Sequence, residues 1–178
     1  VSFESSLDIV QFSEFWPDLE TFSLWDSSDE PVMELQLSDI KSLSSLNRVS
    51  TLRIHCGIAA DAVSALAKFK ALRHLYLGDK YFEEIPVFDF DLSSTLPNIG
   101  LNLISLDTIW DSTSSSIDLI IRHCPNLEFL SIYFLNVDRE TGRDLGQTLG
   151  NGLKKLKKLF VDEVCLSLRG VGSEVSLA

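Results

Sequence analysis

Several chemistries are thin in this chain of 178 residues. Cysteine occurs three times, an odd number with no CxxC pair, and no NxS/T sequon is present. A disulfide framework or zinc site is therefore not expected, and a reducing compartment fits better. Histidine also occurs only three times, at His55, His74 and His123. His55 and His74 fall on neighbouring strands in the pattern described below, close enough to approach each other, but no third ligand stands at fixed spacing, so no metal is expected. The chain has no GxSxG elbow, no SxxK, no GxxxxGK[ST] phosphate loop and no GxGxxG after a strand. Without these, neither an enzyme nor a cofactor is expected. No apolar run approaches the roughly 18 residues of a membrane span, and the start lacks the basic segment and apolar core of a secretory signal. An intracellular protein, cytoplasmic or nuclear, with no membrane partner follows as the expectation. Val1 is not an initiator Met, so the chain is expected to be a fragment of a longer one.

Basic residues are missing from one region. Residues 1 to 40 hold ten Asp or Glu and no Lys or Arg, while the remainder holds sixteen acids against fifteen bases, for a net charge of −11. An acidic flank repels phosphate backbones, which argues against a nucleic-acid partner and permits a basic protein. It also does no more than keep many proteins soluble.

What the chain does have is recurrence. HCPNLEFLSI, from His123 to Ile132, shares its offsets with Trp16 to Leu24, and looser copies keep the apolar skeleton: Leu46, Val49, Leu52, Ile54; Phe69, Leu72, Leu75, Leu77; Leu153, Leu156, Leu159, Val161. The template is apolar at steps of three, three and two, and its last step alternates as a strand does. One copy is blurred. Leu96, Pro97, Asn98, Ile99 opens like the others, and Leu101 to Leu103 then competes with Leu103, Leu106, Ile109 for the strand. The first register is preferred.

Between the strands the spacing predicts an amphipathic capping helix over residues 1 to 15, and a partly helical return over 32 to 46 in which Leu35 to Leu37 alternates as a short strand does. A helix from Ala62 to Lys70 is expected with Asp61 as its cap, another leads from Ser114 to Cys124, and a third opens at Thr141 to Asp144 and closes at Gly150 to Gly152. Tyr81 to Asp91 is an acidic and aromatic insertion. The tail from residue 162 is expected either to add an edge strand, Val164 to Leu168, or to stay disordered. Cys56 and Cys124 fall in inward positions as small core fillers. The lysines of Lys154 to Lys158 occupy solvent-facing template positions, and the same run is also a candidate anion patch.

LxxLxL recurring at about 27 residues resembles the leucine-rich-repeat family. The resemblance implies a single α/β solenoid domain over residues 1–178 of about six repeats, with a curved parallel sheet on the concave face and helices or irregular turns on the convex face. In that architecture the outward phase of the strands is the binding surface. Five of its fifteen residues are Trp, Tyr or Phe, types enriched where interfaces carry their energy. The candidate partner-binding residues are Trp25, Arg53, His55, His74, Tyr76, Phe129, Tyr133 and Phe160, and the partner is a protein on the concave face. The CPNLEFLSI phrasing and the variable spacing further resemble the repeat region of F-box and leucine-rich-repeat proteins, particularly divergent fungal ones. That resemblance implies the substrate-recognition part of a ubiquitin ligase adaptor, with Skp1 as a partner only if an F-box lies upstream of Val1. The alternative is a structural or autoinhibitory repeat scaffold, such as the sensor region of an immune-type receptor.

Overall fold

The alternating apolar steps of the sequence become strands because one phase can be buried while the other meets solvent. In chain order these are β1 (Thr21–Trp25), β2 (Glu34–Leu35), β3 (Thr51–His55), β4 (Gly57–Ile58), β5 (His74–Leu77), β6 (Ser105–Trp110), β7 (Phe129–Leu135), β8 (Lys158–Val164) and β9 (Ser173–Val175). Helices α1 (Leu37–Leu43), α2 (Ala60–Val63), α3 (Leu96–Ile99), α4 (Ser114–His123) and α5 (147–152) lie between them. The computed structural model describes residues 15–25, 34–78, 91–110, 114–135, 147–164 and 173–175. The expected helix over 1 to 15 and the Tyr81 to Asp91 insertion fall almost wholly outside these residues, as does the start of the third expected helix.

Six strands, β1, β3, β5, β6, β7 and β8, form one parallel sheet in the order in which the chain makes them, so the fold is mixed α/β. Their register is unbroken. Phe22, Leu52, Leu75, Leu106, Leu130 and Leu159 form one row across the sheet, and Leu24, Ile54, Leu77, Thr108, Ile132 and Val161 form the next. The first row is buried throughout and packs with Ile40, Leu43, Leu66, Ile99 and Ile120 of the connecting segments into one core. Two further strands, β2 and β4, pair in parallel, β4 following β3 after Cys56.

Ahead of each strand the backbone makes the same turn. The amide N–H groups of Leu19, Val49, Leu72, Leu103, Leu127 and Leu156 each donate to the carbonyl three residues back, at 3.1 to 3.2 Å. Between adjacent strands one carbonyl then accepts two N–H groups from the following strand's lead-in. Glu20 takes Ser50 and Thr51, Ser50 takes Arg73 and His74, Arg73 takes Ile104 and Ser105, Ile104 takes Glu128 and Phe129, and Glu128 takes Lys157 and Lys158. Each of these carbonyls thereby has two backbone donors, enough to occupy both lone pairs.

The blurred copy takes the second register, with one change. Leu103 and Leu106 occupy the second and third template positions and β6 starts at Ser105, whereas Leu101 is 64% exposed. The fourth position is Thr108, fully buried, and not Ile109. The first position is Gly100, where any Cβ would stand 2.5 Å from the backbone carbonyl oxygen of His123 and 3.0 Å from Cys124 Sγ. The end of α4 crosses so close that only glycine fits, and the apolar residue the template calls for has no room.

Other expectations are corrected at element ends. The helix expected from Ala62 begins at Ala60 with Ala59 as its cap residue, and Asp61 sits in the first turn, where a carboxylate suits the helix dipole. It tightens into a 3-10 helix over Ser64–Lys68, while the predicted inward stripe of Ala62, Ala65, Leu66 and Phe69 is buried. The alternation at Leu35 to Leu37 resolves into β2 followed by α1, with the Gln36 N–H donating to the Asp39 carboxylate at 2.8 Å. Of the third expected helix, α5 covers 147–152 and ends at Gly152, within the closing stretch expected. Of the edge strand expected over Val164 to Leu168, Val164 is the last residue of β8 and the rest lies outside the described residues; β9 pairs antiparallel with β8, with Leu159 opposite Val175.

Candidate functional site

Opposite the core, the sheet presents three rows set by the same register. The middle row runs Ser23, Arg53, Tyr76, Asp107, Ser131, Phe160, and the row nearer the strand starts runs Thr21, Thr51, His74, Ser105, Phe129, Lys158. In the third row Trp25 stands opposite His55, and Ile109, Tyr133 and Asp162 follow one another on β6, β7 and β8.

Two clusters form on this face. The Arg53 guanidinium carbon lies 4.8 Å from the centroid of the Tyr76 ring, a cation–π contact. Tyr76 in turn accepts a hydrogen bond at its phenol oxygen from the Ser105 hydroxyl, at 3.3 Å. Phe129 and Phe160 form the second cluster, with ring centroids 5.6 Å apart and planes tilted by 46°. Between large neighbours stand small residues, and these are covered. Ser105 is 4% exposed and Ser131 2%, although both point away from the core, whereas Arg53, Tyr76, Phe129 and Phe160 are half-buried. The surface therefore has a floor of small hydroxyl side chains and walls of rings, with a cation at one side and an aspartate in the centre.

His74 lies beside this row with its pKa lowered from the ordinary 6.5, first because burial removes water from the charged form and then because Arg53 and Arg73 repel it. His55 and His74 do not come together. His74 stands opposite Thr51, so His55 is four residues further along β3, roughly 13 Å away at strand rise. Among the described residues no three His, Cys, Asp or Glu side chains gather into a metal-binding group. Burial lifts the Cys124 thiol to about 12, in keeping with packing against Gly100.

Of the eight predicted face residues, Arg53, Tyr76, Phe129 and Phe160 fall into the two clusters, and His55 and His74 flank them. Trp25 and Tyr133 are placed by strand register. Sequence reasoning missed Ser105 and Asp107, because β6 contributed nothing to the face while its register was wrong. The signal was present in the spacing: Leu106 stands 24 residues before Leu130 and 31 after Leu75, where the other intervals of the row run from 23 to 30.

Among the described residues no helix is long and apolar enough to cross a membrane. No family model matches the sequence, and no curated protein matches it.

Proposed function

We propose that this chain is a leucine-rich-repeat solenoid of six turns that serves as a protein-binding module, with its partner seated on the concave side of the sheet. The observation that carries the reading is the contrast between the two phases of the same strands. One phase is a continuous apolar row, and the other sets Arg53 on Tyr76 and Phe129 against Phe160 around a central aspartate. The core has no need of those rings, whereas interfaces draw much of their energy from aromatic and Arg anchors in partly desolvated surroundings. Trp25, His55, His74 and Tyr133 flank the anchors. On this reading the protein is not an enzyme and works inside the cell. The finer assignment, substrate recognition for an F-box-type ubiquitin ligase, rests on the resemblance of CPNLEFLSI alone, and Skp1 capture by the full-length protein tests it.

Tyr76→Ala and Phe160→Ala test the face. Each variant, and Lys41→Ala on the exposed side of α1 as a control, is immobilised and challenged with extract of the source organism. The reading expects one captured protein to be lost from the two face variants and kept by the control, at melting temperatures close to the parent. Melting temperatures that fall with capture would make the rings structural and favour the scaffold alternative.

A further inference from the structure

The rim where the strands begin carries a second surface, distinct from the sheet face. A groove of about 490 Å³ runs across the starts of β1, β3, β5 and β6, lined in part by Glu20, Asn47, Arg48, Lys70, Arg73 and Asn102. The backbone beneath it is saturated. The carbonyls of Glu20, Ser50 and Arg73 each hold two N–H groups, and the Asn102 amide donates to the Lys70 carbonyl at 3.1 Å. A ligand in this groove therefore meets side chains. Arg48 is engaged by the Asp18 carboxylate, whereas Lys70 and Arg73, both exposed, have no ion-pair partner among the described residues.

Charge on this rim runs against the charge of the chain. The net charge is −11, yet further along the same rim stand Lys154, Lys155 and Lys157, with Lys155 bonded to Asn126 and Lys157 paired with Glu128.

We infer that this groove binds an acidic peptide segment of a protein partner, with Lys70 and Arg73 taking its carboxylates and the amides of Asn47 and Asn102 taking its backbone. The planar guanidinium fork of Arg73 matches a carboxylate in bidentate geometry. A lining that mixes amide donors and acceptors with two available cations and one carboxylate, Glu20, suits a peptide, which alternates charge with neutral N–H and C=O groups. It suits a nucleic-acid backbone poorly, because every phosphate demands a cation and ten acids in residues 1 to 40 repel a polyanion at long range. The inference rests on the rim alone and stands whether or not the sheet face binds a partner.

The probe is a fluorescein-labelled peptide of alternating Glu and Gly, followed by anisotropy at low salt. Parent protein should bind it. The double variant Lys70→Ala, Arg73→Ala should weaken binding about fivefold or more, and Tyr76→Ala should leave it unchanged. Binding should fade as salt rises to about 0.3 M, because the charges involved are exposed. Should the double variant melt below the parent, Lys70→Gln and Arg73→Gln singly carry the same expectation. The inference is overturned if the parent does not bind, if binding survives the double variant but is lost in Lys154→Ala, Lys155→Ala, or if an oligothymidylate of equal charge binds more tightly than the peptide. Loss of binding in Tyr76→Ala alone would overturn it too, by moving the peptide to the sheet face.

Discussion

Arg53 and Tyr76 face each other in register across β3 and β5, and the guanidinium carbon of the first lies 4.8 Å from the ring centroid of the second. Strand pairing brings the two Cα atoms to a fixed separation, so the contact follows from sheet geometry and does not depend on a loop holding its shape. Arg73 shares the neighbourhood, and burial of the imidazole first, then repulsion by Arg53 and Arg73, lower the pKa of His74.

A double-mutant cycle measures the pair. Arg53→Ala and Tyr76→Ala should each cost little stability, with a coupling of about 0.5–1 kcal/mol between them. Tyr76→Phe in the same cycle should keep the coupling, since the ring stays and only the hydroxyl that accepts from Ser105 is lost. Urea denaturation of the four proteins is the measurement, and a coupling of zero would show that the ring and the guanidinium are neighbours without attraction.

Leu130 is fully buried in the first core row, flanked by Leu106 and Leu159. Leu130→Ala should destabilise the protein by about 2–5 kcal/mol. An unchanged urea midpoint would contradict the register.

Gly100→Ala should be destabilising in spite of the better helix propensity of alanine, because the new Cβ would stand 2.5 Å from the His123 carbonyl oxygen and backbone must move to relieve it. A cost of about 1–3 kcal/mol is expected. Gly150→Ala is the internal control, since nothing lies within 4 Å of a Cβ there and the change should be neutral or stabilising. Thermal melts should place Gly100→Ala below the parent and Gly150→Ala at or above it.

The pH dependence has a definite sign at His74. Its folded pKa lies below 6.5, so between the two values the unfolded chain binds more protons than the native one. Its contribution to stability is full above pH 6.5 and falls as pH drops through the folded pKa. Arg73→Ala removes one of the repelling charges and should raise the His74 pKa, which a proton NMR titration of the imidazole would follow. A His74 resonance titrating at 6.5 in both proteins would contradict the assignment.

The strands and their apolar phase were legible because burial imposes a period of two on any half-covered strand, and Leu52, Leu75, Leu130 and Leu159 obey it without exception. What escaped was decided by tertiary proximity. Gly100 breaks the template because α4 passes too near, and Thr108 breaks it because a buried hydroxyl replaces an aliphatic side chain at that layer. With two of four positions altered, the spacing of the remaining leucines allowed the wrong pairing, and Asp107 dropped out of the predicted face. The helix after β4 was misjudged for a local reason: Asp61 is a favoured cap residue, yet the chain enters the helix two residues earlier and leaves Asp61 in the first turn. The return of β9 along β8 pairs two consecutive strands, but alternation in the tail does not by itself name the residues that pair.

The recurring turn and its shared carbonyl separate two parts of the molecule that differ in tolerance. From 46 to 54, 69 to 77, 100 to 108, 124 to 132 and 153 to 161 the chain advances by the same eight residues, whereas the connections between these stretches vary from the step 54 to 69 to the step 77 to 100. Sheet register is settled within the constant stretch, so the length of a connection carries no information that the strands need. Doubling a flexible connection costs only about 0.6 kcal/mol in closure entropy, far less than the loss of one core leucine. Foreign peptides grafted into the connections should therefore be accepted, which makes the side of the molecule away from the sheet face a place where new surface can evolve without disturbing the rows of side chains the strands display.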